Sequence, residues 1–286
     1  MEQEKHIDFH SHTVYSDGSD TPENLIRAMH MSGVDIAAVT DHDTLASYPR
    51  AKKEADRYGF SIIPGVEITT TRYHILGLNV DVNNADLQNL LSLSRELQIE
   101  DCRRRIDKLT VHGAPITLNK LQETYPDARV GTWNITMTML ADAPCRDYLA
   151  RMHGRVPTPR EVHNFYLGKA GIGAKVKRDE TIHSKEAIAS IHEAGGIAIV
   201  AHPFNQVQDI EKELGRLCEK GLDGLEIQPN YGMQNEPFST YALQHNLMMT
   251  YGSDFHGAGY TRQLLGRREN CLENQVLEEM LAKWKK

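Results

Sequence analysis

His10 and His12 stand two residues apart in Asp8-Phe9-His10-Ser11-His12-Thr13, and Asp17 follows in a Ser16-Asp17-Gly18 turn. On a strand, residues i and i+2 point to the same side, so the two imidazoles are presented in parallel, as half of a metal site. Asp8 falls on that side one step deeper, where a carboxylate can hold an imidazole N–H and fix its tautomer. Asp17 is placed to turn back over the pair. The same residue types recur downstream: His42 in Thr40-Asp41-His42-Asp43, Glu67 after Gly65-Val66, His74 before Ile75-Leu76-Gly77, His202 in Ala201-His202-Pro203, and Asp254 and His256 in Gly252-Ser253-Asp254-Phe255-His256. Unpaired in a dry core, these groups would carry a severe desolvation cost. Mixed imidazole and carboxylate donors suit Mn, Fe or Zn better than Ca or Mg. Nine such residues exceed the needs of one ion, so two or three divalent ions are expected.

The elements that must position them read as an alternation. A strand over 6–10 ends at the first histidines. Thr21-Pro22-Glu23 opens a helix to about 33, with Thr21 as cap and Pro22 in the first turn. The apolar run 35–40 reads as a strand buried on both faces and stops at Asp41-His42-Asp43. A helix over 45–58 and strands over 60–67 and 74–78 follow. Ionisable residues at strand ends predict a parallel α/β barrel, which keeps its chemistry at that rim. From 83 to 183 the pattern changes to helices, over 85–111, 118–124, 134–140 and 159–167, with no buried strand. The alternation resumes with a helix over 185–194, a strand over 197–201, a helix over 207–220, a strand over 222–228 carrying Glu226, a helix over 236–245 and a last strand from 248. The expected architecture is therefore α/β, a distorted barrel of residues 1–82 and 184–286, with 83–183 as a mainly helical insertion or cap.

The composition sets limits. Of 286 residues, 40% are hydrophobic and 25% charged, ordinary for a soluble globular chain. A formal charge of -7 argues against a broad grip on long nucleic acid and leaves a short oligonucleotide open. Cys102, Cys145, Cys218 and Cys271 are far apart, which disfavours a disulfide framework or zinc ribbon. Met1-Glu2-Gln3-Glu4-Lys5 holds no apolar segment and no later run could span a bilayer, so a cytoplasmic location without membrane association is expected.

Taken as a set, Asp-x-His-x-His-Thr-x-x-Ser-Asp-Gly, Thr40-Asp41-His42-Asp43, Gly65-Val66-Glu67, Ala201-His202-Pro203 and Gly252-Ser253-Asp254-Phe255-His256 resemble the motifs of the PHP (polymerase and histidinol phosphatase) superfamily. The resemblance is to its stand-alone metal-dependent phosphoesterases, and it implies a distorted (β/α)7 barrel with a trinuclear site. Carried over by motif, His10, His12, Glu67 and Asp254 would hold one ion. Glu67, His74 and His202 would hold a second, and Asp17, His42 and His256 a third. Three divalent ions would outweigh three carboxylates and leave a cationic pocket for a phosphate dianion, with a metal-bridging hydroxide as nucleophile. Asp43 is a candidate acid or supporting carboxylate. Nucleotide-hydrolysing members carry a Gly-Arg-Pro-His-like motif in the insertion. Here the chain reads Gly131-Thr132-Trp133-Asn134, making Thr132 and Asn134 candidate substrate contacts. Lys169 and Arg178 resemble a second basic segment suited to a remote phosphate, and Asn230 and Tyr231 are placed to line the mouth.

The expected activity is hydrolysis of a small phosphorylated metabolite: a nucleotide, nucleoside bisphosphate, sugar phosphate or cyclic phosphate. The alternative is a 5′-to-3′ exonuclease on short RNA. C–N bond hydrolysis is a third reading, disfavoured because Glu67 stands where related metal barrels use a carbamylated lysine. A binding-only role would be marked by lost ligands, and the chain keeps them.

Overall fold

The computed structural model describes residues 5–126, 128–174, 180–227, 235–257 and 265, together with the backbone of the strand Cys271–Leu272. Two compact units emerge, one of Met1–Ser92 with Ile182–Lys286 and one of Leu93–Thr181.

The first unit is built on one sheet, ordered β7-β6-β5-β4-β3-β2-β1-β8. β1 (Lys5–Asp8), β2 (Ile36–Val39) and the first half of β3 (Ser61–Thr69) are parallel neighbours. β4 (His74–Leu78) runs against both β3 and β5 (Ile197–Val200). β5, β6 (Gly224–Glu226) and β7 (Met248–Thr250) are parallel again, and β8 (Cys271–Leu272) pairs antiparallel with β1. The sheet curls on itself: Phe9 N–H donates to Tyr251 O at 2.9 Å, Asp254 N–H to His10 O at 2.9 Å and His12 N–H to Phe255 O at 2.8 Å. These bonds tie the chain beyond β7 to the chain beyond β1, giving the expected α/β barrel. It is not parallel throughout, because residues 70–73 alone join β3 to β4. A parallel pair needs a crossover of about a dozen residues or more, whereas here Thr70 N–H donates to Tyr73 O at 3.1 Å and closes a hairpin.

Helices cover this sheet where the sequence supplies a cap and an apolar stripe. α1 (Pro22–Met31) starts where Thr21 Oγ1 accepts Asn24 N–H at 3.3 Å. With α2 (Tyr48–Tyr58) it buries Leu25, Ile26, Met29, Ala51 and Ala55 against Ala37, Val39 and Ile62. α3 (Ala85–Val111) carries the chain into the second unit, where α4 (Leu118–Thr124), α5 (Thr132–Ala141), α6 (Ala143–His153) and α7 (Pro159–Val162) follow. Cys102, Ile106, Leu109, Ile135, Met139, Leu149 and Tyr166 form its core. α6 is absent from the sequence-based expectation, because its apolar stripe is sparse, with only Cys145, Tyr148 and Leu149 buried. Its signals are at the ends: Asp142 accepts Cys145 N–H at 3.1 Å, and Gly154 stops it at φ 71°. The helix expected over 159–167 divides into α7 and a π turn, His163–Leu167, closed by Gly168 N–H donating to His163 O at 2.8 Å. Back in the first unit come α8 (Ser184–Glu193), α9 (Pro203–Gln206), α10 (Ile210–Cys218) and α11 (Glu236–Gln244). Among the described residues no helix is long and apolar enough to cross a membrane.

Candidate metal centre

The chain alternates in chemistry through β1 and beyond it: Ile7 and Phe9 join a core with Ile36, Ala38, Leu76 and Ile199, while His10 and His12, past the strand's end at Asp8, are fully buried among polar groups. Asp17 is brought back over them by a turn that only glycine completes, since a Cβ on Gly18 would lie 2.4 Å from His12 O. Glu67 lies on β3, bridged to His42. His74 opens its strand rather than ending it. Because β4 runs antiparallel, that opening falls at the same rim as the ends of its neighbours. His202 and Asp254 follow β5 and β7 with φ 30° and 53°, left-handed backbone that costs a side-chain-bearing residue energy and persists only where the surroundings enforce it.

Glu67 is the centre. Its Oε2 lies 3.2 Å from His10 Nε2, 3.2 Å from His12 Nε2 and 3.2 Å from His42 Nδ1. Its Oε1 lies 2.9 Å from His74 Nδ1 and 3.1 Å from His202 Nε2. Asp254 Oδ1 stands 3.3 Å from the Nε2 atoms of both His10 and His12. Asp17 faces His256 Nε2 at 3.4 Å, His12 Nδ1 at 3.7 Å and His42 Nε2 at 3.8 Å. Among the described residues, donor atoms lie within 4.8 Å of one another in three overlapping groups: His12, Asp17, His42 and His256; His10, His12 and Glu67; and His42, Glu67 and His74. His202 and Asp254 are outside these groups but touch them through Glu67, His10 and His12.

These residues fit divalent ions. Glu67 Oε2 and Asp17 Oδ1 are buried without a hydrogen-bond partner although imidazole nitrogens surround them. His10 Nε2 and His12 Nε2 approach to 3.1 Å. Separations of 3.1–3.3 Å are those of donors each about 2.0–2.2 Å from a shared ion. Without an ion the same groups trade charge. Burial disfavours the His12 imidazolium, but the carboxylates of Asp254 and Glu67 beside it outweigh that and push the group up to about 10. Burial likewise opposes charge on His10, and Glu226, Glu67 and Asp254 raise it well above the usual imidazole value. Against their own burial, Glu67 is held well below the carboxylate range by His42, His10 and His74, and Asp17 by His256 and His42.

Behind the donors stands a second set of buried carboxylates whose oxygens accept backbone N–H groups. Asp41 accepts Thr13 N–H at 2.7 Å and Ser16 Oγ–H at 2.6 Å; Asp43 accepts Thr69 N–H at 2.8 Å. Asp8 accepts Ser253 N–H at 2.9 Å, and burial lifts its carboxyl to about 6 against that hydrogen bond. Asp8 therefore does not hold an imidazole N–H as expected: the His10 Nδ1–H is donated to Glu226 Oε1 at 2.8 Å. Glu226 and Gln206 are the residues that sequence reasoning left out of the site. The first was visible only as a carboxylate near a strand end, and the second as a residue four beyond His202 on a short helix. Gln206 Oε1 accepts His74 N–H at 2.8 Å, and its Nε2 donates to Ala201 O at 2.8 Å and to His202 Nδ1 at 2.7 Å. That orientation leaves the His202 proton on Nε2, facing Glu67 Oε1.

The expected substrate contacts lie in the second unit. Asn134 is buried and its Oδ1 accepts Gly131 N–H at 2.8 Å, capping α5. Thr132 Oγ1 is 3.2 Å from His163 Nε2. Lys169 is exposed. Arg178, Asn230 and Tyr231 lie outside the described residues.

Comparison with known proteins adds a lineage. Residues 8–126 match the PHP domain. A 5′-3′ exoribonuclease, Rnm, of Salmonella typhimurium is 32% identical over 265 residues, covering 87% of this chain and 84% of that protein. A phosphoribosyl 1,2-cyclic phosphate 1,2-diphosphodiesterase of Eggerthella lenta is 27% identical, covering 87% and 94%. A crystal structure from Bifidobacterium adolescentis, described as a metal-dependent phosphoesterase, superposes with a TM-score of 0.79 at 26% identity over 99% of this chain and 98% of that one.

Proposed function

The chain belongs to the PHP-domain family and is a metal-dependent phosphoesterase, and on that premise we propose that it releases phosphate from a small phosphorylated metabolite with two or three divalent ions, manganese foremost. The ions would be held by His10, His12, Glu67 and Asp254; by Glu67, His74 and His202; and by Asp17, His42 and His256. The observation that carries the reading is Glu67, whose Oε2 meets three imidazole nitrogens at 3.2 Å without a hydrogen bond. When bound, such ions supply Lewis-acid charge for the phosphoryl oxygens and lower the pKa of a water that attacks phosphorus.

The chain's own groups prepare that chemistry. Glu226 holds the His10 proton on Nδ1, so the lone pair of Nε2 faces Glu67. To serve as a ligand through Nε2, His202 would carry its single ring proton on Nδ1, the nitrogen that faces the Gln206 amide. Asp43 is engaged by Thr69 N–H, which favours a supporting role for it over that of an acid. Thr132, Asn134, Lys169 and Arg178 are proposed to contact the part of the substrate beyond the reacting phosphate. A cytoplasmic location goes with this reading, on the wide spacing of the cysteines.

The test is phosphate release by manganese-reconstituted protein from nucleotides, nucleoside bisphosphates, sugar phosphates and cyclic phosphates. Silence across that panel with metal bound would defeat the metabolite reading. A second reading, a 5′-to-3′ exonuclease on short RNA, is favoured by the name of the 32% identical relative. It predicts stepwise loss of 5′ nucleotides from an oligomer. Arg178→Ala should raise KM for substrates with a second phosphate and spare simple monoesters; equal effects on both would remove its assigned role.

A further inference from the structure

Glu226 closes a ring of contacts that no ligand set includes. It is 1% exposed at the end of β6. One of its oxygens, Oε1, accepts the His10 Nδ1–H at 2.8 Å; the other, Oε2, accepts the His202 backbone N–H at 2.6 Å. The same two residues meet again on the far side, at Glu67: His10 Nε2 stands 3.2 Å from its Oε2, and His202 Nε2 stands 3.1 Å from its Oε1. The His10 and His202 rings are stacked, with centroids 5.6 Å apart and planes at 23°. Two carboxylates therefore clamp one pair of histidines, Glu67 from the donor side and Glu226 from behind.

The surroundings enforce this arrangement. A Cβ on Gly252 would lie 2.4 Å from Glu226 Oε1 and 2.3 Å from the His10 Cβ, so the absent side chain leaves the space in which the two meet. His202 needs its hold more than an ordinary residue does, because its φ of 30° is left-handed. Asp8, Asp41 and Asp43 also accept backbone N–H groups. Glu226 differs in holding a ligand imidazole with one oxygen and the backbone of a second candidate ligand with the other.

We infer that Glu226 is a positioning residue that couples the two ion positions sharing Glu67, the one that His10 would serve and the one that His74 and His202 would serve. The inference rests on the multinuclear reading given above. Its consequence is specific: removing Glu226 disturbs both positions together, whereas removing Gln206, which among the candidate ligands bonds His202 and His74, disturbs one.

The test is manganese binding to full-length wild type, Glu226→Gln, Glu226→Ala and Gln206→Ala by titration calorimetry, with bound metal counted by elemental analysis. Loss of an outer carboxylate that orients a ligand histidine weakens metal binding by about 10–100-fold. That loss is expected in both binding steps for the Glu226 variants and in one step for Gln206→Ala. Zinc-loaded wild type, which avoids paramagnetic broadening, supplies a reading independent of any variant's folding: long-range ¹H–¹⁵N spectra should place the His10 proton on Nδ1. Two results would overturn the inference while leaving the phosphoesterase reading intact: folded Glu226→Gln with wild-type affinity in either step, or a His10 proton off Nδ1. Wild-type protein that takes up fewer than two equivalents would overturn the multinuclear reading and the coupling with it.

Discussion

The two units treat buried charge in opposite ways. In the second unit, Arg105 is 6% exposed and its guanidinium is spent on structure: Nε donates to Asp101 Oδ2 at 2.7 Å, and Nη1 donates to Gly173 O at 3.0 Å and Leu167 O at 3.4 Å. In the first, Glu67 is as deeply buried, yet its Oε2 is left without a hydrogen bond among three imidazoles. A buried guanidinium whose N–H groups are spent on carboxylate and carbonyl oxygens stabilises a conformation. A buried cluster with its lone pairs unused stabilises only what enters it. Burial and residue type alone do not separate structural from functional charge; the direction of the lone pairs does.

Four experiments sharpen or break that contrast. The largest effect is expected for Glu67→Ala, which removes the one side chain proposed to serve two ions. Its kcat should fall by about 10²–10³-fold or more, the scale of losing a single electrostatic stabiliser, with bound metal falling in step. Full metal content in this variant would contradict the central place given to Glu67. Arg105→Ala should do the reverse. Leaving the buried Asp101 carboxylate without its Arg105 partner costs about 3–5 kcal/mol of stability, read by denaturant unfolding, while metal content per folded molecule stays at the wild-type value. Gly252→Ala lies between: forcing a methyl into that space costs about 1–3 kcal/mol and displaces His10, so stability and metal affinity should fall together. If only one falls, the packing account of Gly252 is wrong.

The smallest effect is a pH dependence confined to metal-free protein. With its pKa raised to about 10 from an unfolded value near 6.5, His12 binds more protons folded than unfolded across that window. Its contribution to stability is complete below about 6.5 and is lost as pH rises towards 10. The Tm of metal-free protein should therefore fall over this range, and metal uptake at neutral pH should release protons, measurable by calorimetry in buffers of different ionisation enthalpy. Metal uptake without proton release would mean that the imidazoles are already neutral.

Much of the site was legible because it is written in local pattern. The i, i+2 spacing of His10 and His12, the Ser-Asp-Gly turn and the carboxylate of Gly65-Val66-Glu67 each announce themselves within a few residues. His74 was legible as a residue type but not as a position, since it meets the others only because β4 reverses direction. Asp8 was assigned the contact that Glu226 makes, because the sequence shows which carboxylate is near in the chain and not which is near in space. Gln206 carries no signal beyond its spacing from His202. α6 is not legible as an apolar stripe because only three of its 11 residues are buried, and its end signals outrank its stripe.

By itself the sequence determined an α/β alternation interrupted by helices, and a set of imidazoles and carboxylates at strand ends, of the types that hold divalent cations. Those conclusions follow from periodicity and from the cost of burying polar atoms, both properties of short stretches. Tertiary structure alone decided that one strand runs backwards, that Glu67 stands at the centre, and that a carboxylate 216 residues from His10 lies 2.8 Å from its Nδ1. Such contacts depend on which strands become neighbours when the sheet curls, and no local window of residues contains that information.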